Sequence, residues 1–200
     1  MSKIKLFSGM DFSGKTTIIN LINEKLPNTF KIKCKFLTNI DLIDKARNTW
    51  LSANVWKPLL QEAIKKDTET YNNTDLVLLD SLWIIKYLAG KIEKNSKEDY
   101  DEIINLKELM KKYPEMDSFY ITTSIEERIK RFNNRVKSGN IITGSDKLLM
   151  DVEKFEKVEE AYRNLVLEYF PNTKIINTTN MQPTQIIKLL LEDENFMKDI

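Results

Sequence analysis

Lys5-Leu6-Phe7-Ser8-Gly9-Met10-Asp11-Phe12-Ser13-Gly14-Lys15-Thr16-Thr17 is the stretch on which the reading of this chain turns. Lys3 to Ser8 reads as a strand that ends at Gly9. From Gly14 to Leu26 the apolar positions Ile18, Ile19, Leu21, Ile22 and Leu26 recur at helical spacing until Pro27 stops them. Between strand and helix lies Gly9-Met10-Asp11-Phe12-Ser13-Gly14-Lys15-Thr16, which fills G-x-x-x-x-G-K-[ST]. Glycines at its ends let the backbone wrap close to an anion with successive N–H groups turned inward. The N-terminus of the following helix adds a field of the right sign. Lys15 is placed to neutralise the outer phosphate oxygens of a nucleoside triphosphate, and Thr16 to hold Mg²⁺ through its hydroxyl. Residues Gly9 to Thr17 are therefore the expected ATP-binding segment.

Working outward, Lys31 to Leu37 alternates strictly and reads as a second strand. Asp41 to about Lys66 is helical, broken near Pro58. Asp75-Leu76-Val77-Leu78-Leu79-Asp80 is an uninterrupted apolar run between acids, the pattern of a strand buried on both faces. Helical pattern returns from Leu82 to Ala89 and from Lys97 to Lys112. Ser118 to Thr122 is a fourth strand, and Ser124 caps a charged helix through Arg135 with Glu127 as capping-box partner. A loop, Gly139-Asn140-Ile141-Ile142-Thr143-Gly144, precedes a long helix from about Asp146 to Tyr169. Lys174 to Asn177 forms a fifth strand and Pro183 to Glu192 a last helix. Strands alternating with helices predict an α/β fold with a five-stranded parallel sheet between two helical layers. A single domain over residues 1–200 accommodates it, with no linker to divide the chain.

The composition narrows the chemistry. The 200 residues carry 31 Lys and Arg against 30 Asp and Glu, a net charge of +1, which gives no electrostatic footprint for nucleic acid. There is no histidine, so Ser-His-Asp catalysis, His-ligated zinc and imidazole shuttles are excluded. The one cysteine, Cys34, makes no internal disulfide and reads as a buried small hydrophobe. No apolar run approaches the roughly 18 residues of a membrane span. Met1 to Gly9 lacks the apolar core of a secretion signal, so the expectation is a cytoplasmic protein without a membrane partner.

Two further sites follow from position. Asp80 closes the buried third strand at its carboxyl end, where parallel sheets bind ligands, and is the expected acid of the magnesium site and a candidate base. Its plainer role is to cap the helix beginning near Ser81-Leu82, a task Ser81 is equally fitted for. Arg128, Arg131 and Arg135 share one face of the helix after Ser124. With the glycine loop behind them they suggest a lid, about residues 124–146, in which Arg131 and Arg135 act on the transferring group and Arg128 binds ATP. The bland alternative is a solvated face of Glu–Arg pairs.

With these residues in view, the chain resembles the thymidylate kinase family of P-loop nucleotide kinases. Ser8-Gly9-Met10-Asp11-Phe12-Ser13-Gly14-Lys15-Thr16-Thr17 is similar to that family's E-G-x-D-x-x-G-K-[ST]-T, and the third strand stands where the family carries D-R-[YFW]. The helix from Glu126 to Arg135 resembles the lid helix. The resemblance implies the three-layer P-loop kinase fold, ATP with Mg²⁺, a homodimer, and Asp11 binding the acceptor's sugar hydroxyl. It also assigns the acceptor monophosphate to Arg47, in Ala46-Arg47-Asn48-Thr49-Trp50-Leu51, and base stacking to Trp56. Trp50 and Trp83 are the other aromatics near the expected cleft, though tryptophans more often serve the core.

The departures lie on the acceptor side. No arginine occurs near Thr38 to Asp41 or from Val55 to Lys66, and Ser81 stands where the family has the arginine of D-R-Y. A monophosphate dianion held by Arg47 alone is under-neutralised. The expectation is thus a nucleotide kinase acting on a deoxynucleoside monophosphate, thymidylate first. A deoxynucleoside or other hydroxyl kinase of the same build is the alternative. A P-loop regulatory protein is disfavoured because no N-K-x-D-like guanine reader is present.

Overall fold

The computed structural model describes residues 3–26, 29–33, 76–94, 103, 104, 107, 108, 110, 111, 113, 115–139 and 146–192. Five parallel strands form one sheet: β1 Lys3–Ser8, β2 Thr29–Lys33, β3 Leu76–Asp80, β4 Asp117–Thr122 and β5 Lys174–Asn177. Their order across the sheet is β2-β3-β1-β4-β5. β1 registers Phe7 against Asp80 on one side and against Phe119 on the other. Chain connections therefore leave β1 in opposite directions, and the crevice that such a reversal opens at the carboxyl ends of the strands lies at the Gly9–Thr16 turn.

Around the sheet lie α1 Lys15–Lys25, α2 Trp83–Lys94, α3 Ile125–Lys137, a 3₁₀ turn Asp146–Met150, α4 Val152–Tyr169 and α5 Pro183–Leu191. Period-two alternation divides the strand residues between two cores. Ile4, Leu6, Val77, Leu79 and Tyr120 meet Ile85 and Leu88 of α2 and Phe155, Tyr162 and Leu165 of α4. Phe7, Leu78, Phe119 and Ile121 meet Ile18, Ile19 and Ile22 of α1 and Ile186, Ile187 and Leu190 of α5. Phe7 and Phe119 stack there with centroids 5.4 Å apart. This is the three-layer α/β arrangement the sequence predicts.

The differences are local. α2 runs through Gly90 to Lys94, past the expected stop at Ala89, because buried Ile84, Ile85, Leu88 and Ala89 hold its apolar face on the core. The long helix expected from Asp146 divides at Asp151, whose Oδ1 accepts from the Lys154 N–H at 3.1 Å and caps α4, leaving a separate 3₁₀ turn before it. β2 begins at Thr29, two residues before the predicted strand. Ser124 caps α3 as expected, accepting from the Glu127 N–H at 3.3 Å. Among the described residues no helix is long and apolar enough to cross a membrane. Cys34 and the helices predicted between Asp41 and Lys66 lie outside the described residues, as does most of the Gly139–Gly144 loop.

Candidate functional site

The turn from Gly9 to Thr16 can exist only with glycine at its entry. Gly9 has φ 135°, and a Cβ there would lie 2.1 Å from the Ile121 carbonyl oxygen of the adjacent strand β4. Gly14, with φ 98°, closes the turn and leads directly into α1. Phe12, between them, also takes a left-handed conformation at φ 62°. That is costly for a bulky residue and persists only where the surroundings hold it. Here they do. Its ring meets Phe132 edge-on at 5.5 Å, and the Arg135 guanidinium lies 5.7 Å over its face.

Successive carbonyls of the turn are each taken by a donor. Lys15 Nζ donates to the Met10 carbonyl at 2.8 Å and to Ser13 Oγ at 3.4 Å. Arg128 Nη1 donates to the Asp11 carbonyl at 2.8 Å, and Arg131 Nη1 to the Phe12 carbonyl at 3.0 Å. The Thr178 hydroxyl, fully buried just past β5, donates to the Ser13 carbonyl at 3.0 Å. Among the described residues no peptide bond is cis. In a trans peptide the next N–H points opposite to the carbonyl, so the N–H groups of Phe12, Ser13 and Gly14 turn away from α3 and Thr178, that of Ser13 donating to the Met10 carbonyl at 3.4 Å. The arginines of α3 and the Thr178 hydroxyl thus fix the direction of the N–H groups, which is what an anion-binding nest requires.

Lys15 is buried, and that burial brings its ammonium from the ordinary 10.5 down to about 8, against the opposing pull of Asp11 and Asp80. Thr16 is the second residue of α1 and is exposed. Its hydroxyl donates to Asp80 Oδ2 at 2.8 Å across 64 positions of sequence. Asp80 is therefore directed to the turn. It does not take the cap position of α2, which starts three residues later at Trp83. Ser81 at φ 64°, with its N–H on the Leu79 carbonyl at 3.1 Å, bends the chain out of β3.

Arg128, an expected ATP ligand, has a side chain 1% exposed, its guanidinium enclosed by protein oxygens. It pairs with Glu159 of α4, donates to the Thr123 carbonyl and Thr122 Oγ1, and packs over the Phe155 ring. It braces the turn from behind. Arg131 also grips protein: Nε donates to Glu127 Oε1 at 3.0 Å and Nη2 to the Thr178 carbonyl at 3.4 Å. The helix expected to be a lid is joined to the turn by both arginines, while exposed Arg135 lies against Phe12. Met10 contributes only its backbone, its side chain being in the core, and Thr17 is exposed on the first turn of α1.

Two residues of the site were not anticipated. Thr178 follows the last strand and nothing in its sequence neighbourhood marks it. Lys86 of α2 donates to Asp11 Oδ2 at 2.8 Å, a pairing across 75 positions that only the fold creates. Arg47, Trp50 and Trp56 lie outside the described residues, and Trp83 is the first residue of α2.

No protein-family model and no curated protein matches the sequence. Solved structures do match the fold. A thymidylate kinase from Candida albicans aligns over 99% of this chain and 93% of its own with a TM-score of 0.70 at 19% identity. A deoxyadenosine kinase from M. mycoides, bearing dCMP and dCDP, aligns over 98% and 100% with 0.63 at 15% identity. A thymidylate kinase from Ehrlichia chaffeensis aligns over 94% and 98% with 0.57 at 16% identity. The fold of this chain is that of the thymidylate and deoxyadenosine kinases.

Proposed function

We propose that this protein is an ATP-dependent phosphotransferase that passes the γ-phosphoryl group to a small nucleotide acceptor, a deoxynucleoside monophosphate with dTMP the first to try. The observation that carries it is the turn between β1 and α1. Its carbonyls are held outward, Lys15 lies across it, and Thr16 with Asp80 stands at its exit. Structures of the same fold, thymidylate kinases and a deoxyadenosine kinase among them, support the same reading.

Mg²⁺ fits this site. The Thr16 hydroxyl and the Asp80 carboxylate are hard oxygens 2.8 Å apart, and Mg²⁺ takes few protein oxygens, filling its shell with phosphate and water. Bound by these two side chains it would neutralise charge on the β- and γ-phosphate oxygens. The chain's own residues perform the rest. N–H groups of Phe12 and Gly14 receive the phosphates, and Lys15 and the Ser13 N–H exchange the Met10 carbonyl for phosphate oxygen. An acceptor oxygen bonds to the γ-phosphorus as the bond to the β–γ bridging oxygen breaks, giving ADP and the phosphorylated acceptor. If the attacking group is a hydroxyl, its proton goes to Asp80. The barrier is lowered by positioning and by charge.

A deoxynucleoside acceptor is the second reading, and the charge balance favours it. Among the described residues Lys86, Arg128 and Arg131 each face a carboxylate, so they add little net charge for a second dianion. One assay separates the readings: ADP release over a panel of deoxynucleoside monophosphates and deoxynucleosides at millimolar Mg²⁺. Turnover with monophosphates supports the first and turnover with nucleosides alone the second. ATP binding without turnover on either class removes both.

A further inference from the structure

Phe12 stands where the turn asks for glycine. Phe12 at φ 62° and Gly14 at φ 98° are both left-handed, while Ser13 between them is not. An alternation of that kind turns successive N–H groups of a nest toward one anion. Glycine takes positive φ freely, but a bulky side chain resists it unless its surroundings hold it there. Gly14 meets the demand by having no Cβ. Phe12 meets it through its ring, which packs with that of Phe132 against the core shared by the sheet, α2 and α4. The two rings meet edge to face, with centroids 5.5 Å apart and planes at 86°, so the positive edge of one lies on the negative face of the other. The Arg135 guanidinium, from the same helix, lies 5.7 Å over the Phe12 ring. Phe132 is itself firmly placed. It follows Arg131 directly and Arg128 by four positions, and those arginines tie α3 to the Phe12 and Asp11 carbonyls. Backbone and ring of Phe12 are thus gripped by one stretch of α3. Phe132 carries no group that could bind phosphate and belongs to no motif.

We propose that Phe132 is a positioning residue of the ATP site, which acts through the Phe12 ring to hold the left-handed backbone that aims the N–H groups of the turn at phosphate. The inference rests on the ATP reading above and adds a residue of α3, remote from the phosphates by its chemistry, to what sets donor affinity. A turn held in its binding form before the ligand arrives loses no affinity to ordering. Without the Phe132 ring, relaxed conformations of Phe12 compete, and apparent affinity falls with the fraction of turns still competent.

The test is calorimetry with ATP and Mg²⁺ on wild type, Phe132→Ala, Phe132→Tyr, Phe12→Gly and the Phe12→Gly/Phe132→Ala double variant. Loss of an edge-to-face pair corresponds to a factor of about three to ten, so Phe132→Ala should weaken ATP by about threefold or more. Phe132→Tyr keeps the ring and should recover most of the loss. The deciding comparison is in the Phe12→Gly background. Glycine needs no ring to stay left-handed, so there Phe132→Ala should change ATP affinity by less than about twofold. A loss below threefold in Phe132→Ala would overturn the proposal. So would a loss of twofold or more that persists in the Phe12→Gly background, which would make Phe132 a core residue and nothing else. Should Phe132→Ala not fold, as judged by its melting curve, Phe132→Leu replaces it in both backgrounds. Wild type that binds ATP while Phe132→Ala binds it equally well sinks this inference alone. Wild type that binds no ATP sinks the kinase reading and this with it.

Discussion

Lys15 shows how one residue is drawn two ways. Burial lowers its ammonium to about 8 from 10.5, so the folded protein carries fewer protons there than the unfolded chain between those values. Stability therefore rises with pH across the window from about 8 to 10.5, and the burial penalty is present in full below it. ATP affinity should run the opposite way, weakening as pH rises through 8, because phosphate needs the charged form. Calorimetric titrations at pH 7 and pH 9 would check this, and equal affinities would contradict it. Lys15→Met removes both the charge and its penalty. It should weaken ATP binding about 10- to 100-fold, from the ~1.5–3 kcal/mol of a charge-assisted hydrogen bond, while its melting temperature without nucleotide is held or raised. Gly9 is the steric counterpart. Gly9→Ala puts a methyl 2.1 Å from the Ile121 oxygen at a φ that alanine resists, so a melting point well below wild type is expected.

At the scale of the element, α3 and the end of β5 govern the shape of the turn, and this was only partly legible in the sequence. Cations at spacings of three and four put Arg128, Arg131 and Arg135 on one face, but spacing does not say which of them the core takes. The core takes Arg128, because Glu159 and the Phe155 ring lie beneath it. Thr178 was illegible because its partner, the Ser13 carbonyl, is 165 positions away. The Arg128 and Thr178 contacts should separate experimentally. Arg128→Met strands Glu159, which keeps 19% exposure, so the loss belongs at the low end of the ~3–5 kcal/mol known for broken buried pairs. That corresponds to a fall of roughly 6–12 °C in melting temperature. Thr178→Val is nearly isosteric and removes the hydroxyl that the Ser13 and Thr122 carbonyls share; at about 1 kcal/mol for its bond to the turn, ATP affinity should fall about fivefold with the fold intact. A Thr178→Val variant with full ATP affinity would show that the turn holds its shape without that hydroxyl.

For the whole molecule the decisive feature is that β1 belongs to both cores and ends in the turn. Ile4 and Leu6 face one core, Phe7 the other, and Gly9 follows two residues on. Alternation in β1 and the apolar run of β3 made this sheet readable from sequence, since buried parallel strands leave that signature. The division at Asp151 was not readable, because the 3₁₀ turn before it keeps a helix-like apolar pattern through Leu148 and Leu149. A ligand in the turn should therefore stabilise more than the turn. Arg128 and Arg131 join it to α3, Glu159 extends that tie to α4, and Thr178 extends it to β5. ATP with Mg²⁺ at a hundredfold excess over Kd should add about 2.7 kcal/mol, roughly 5–11 °C in melting temperature for a chain of this size. Amide exchange should slow across α3 and Thr178 as well as residues 11–17. Protection confined to the turn, or no thermal shift, would mean that the carbonyl contacts do not carry ligand energy into the sheet.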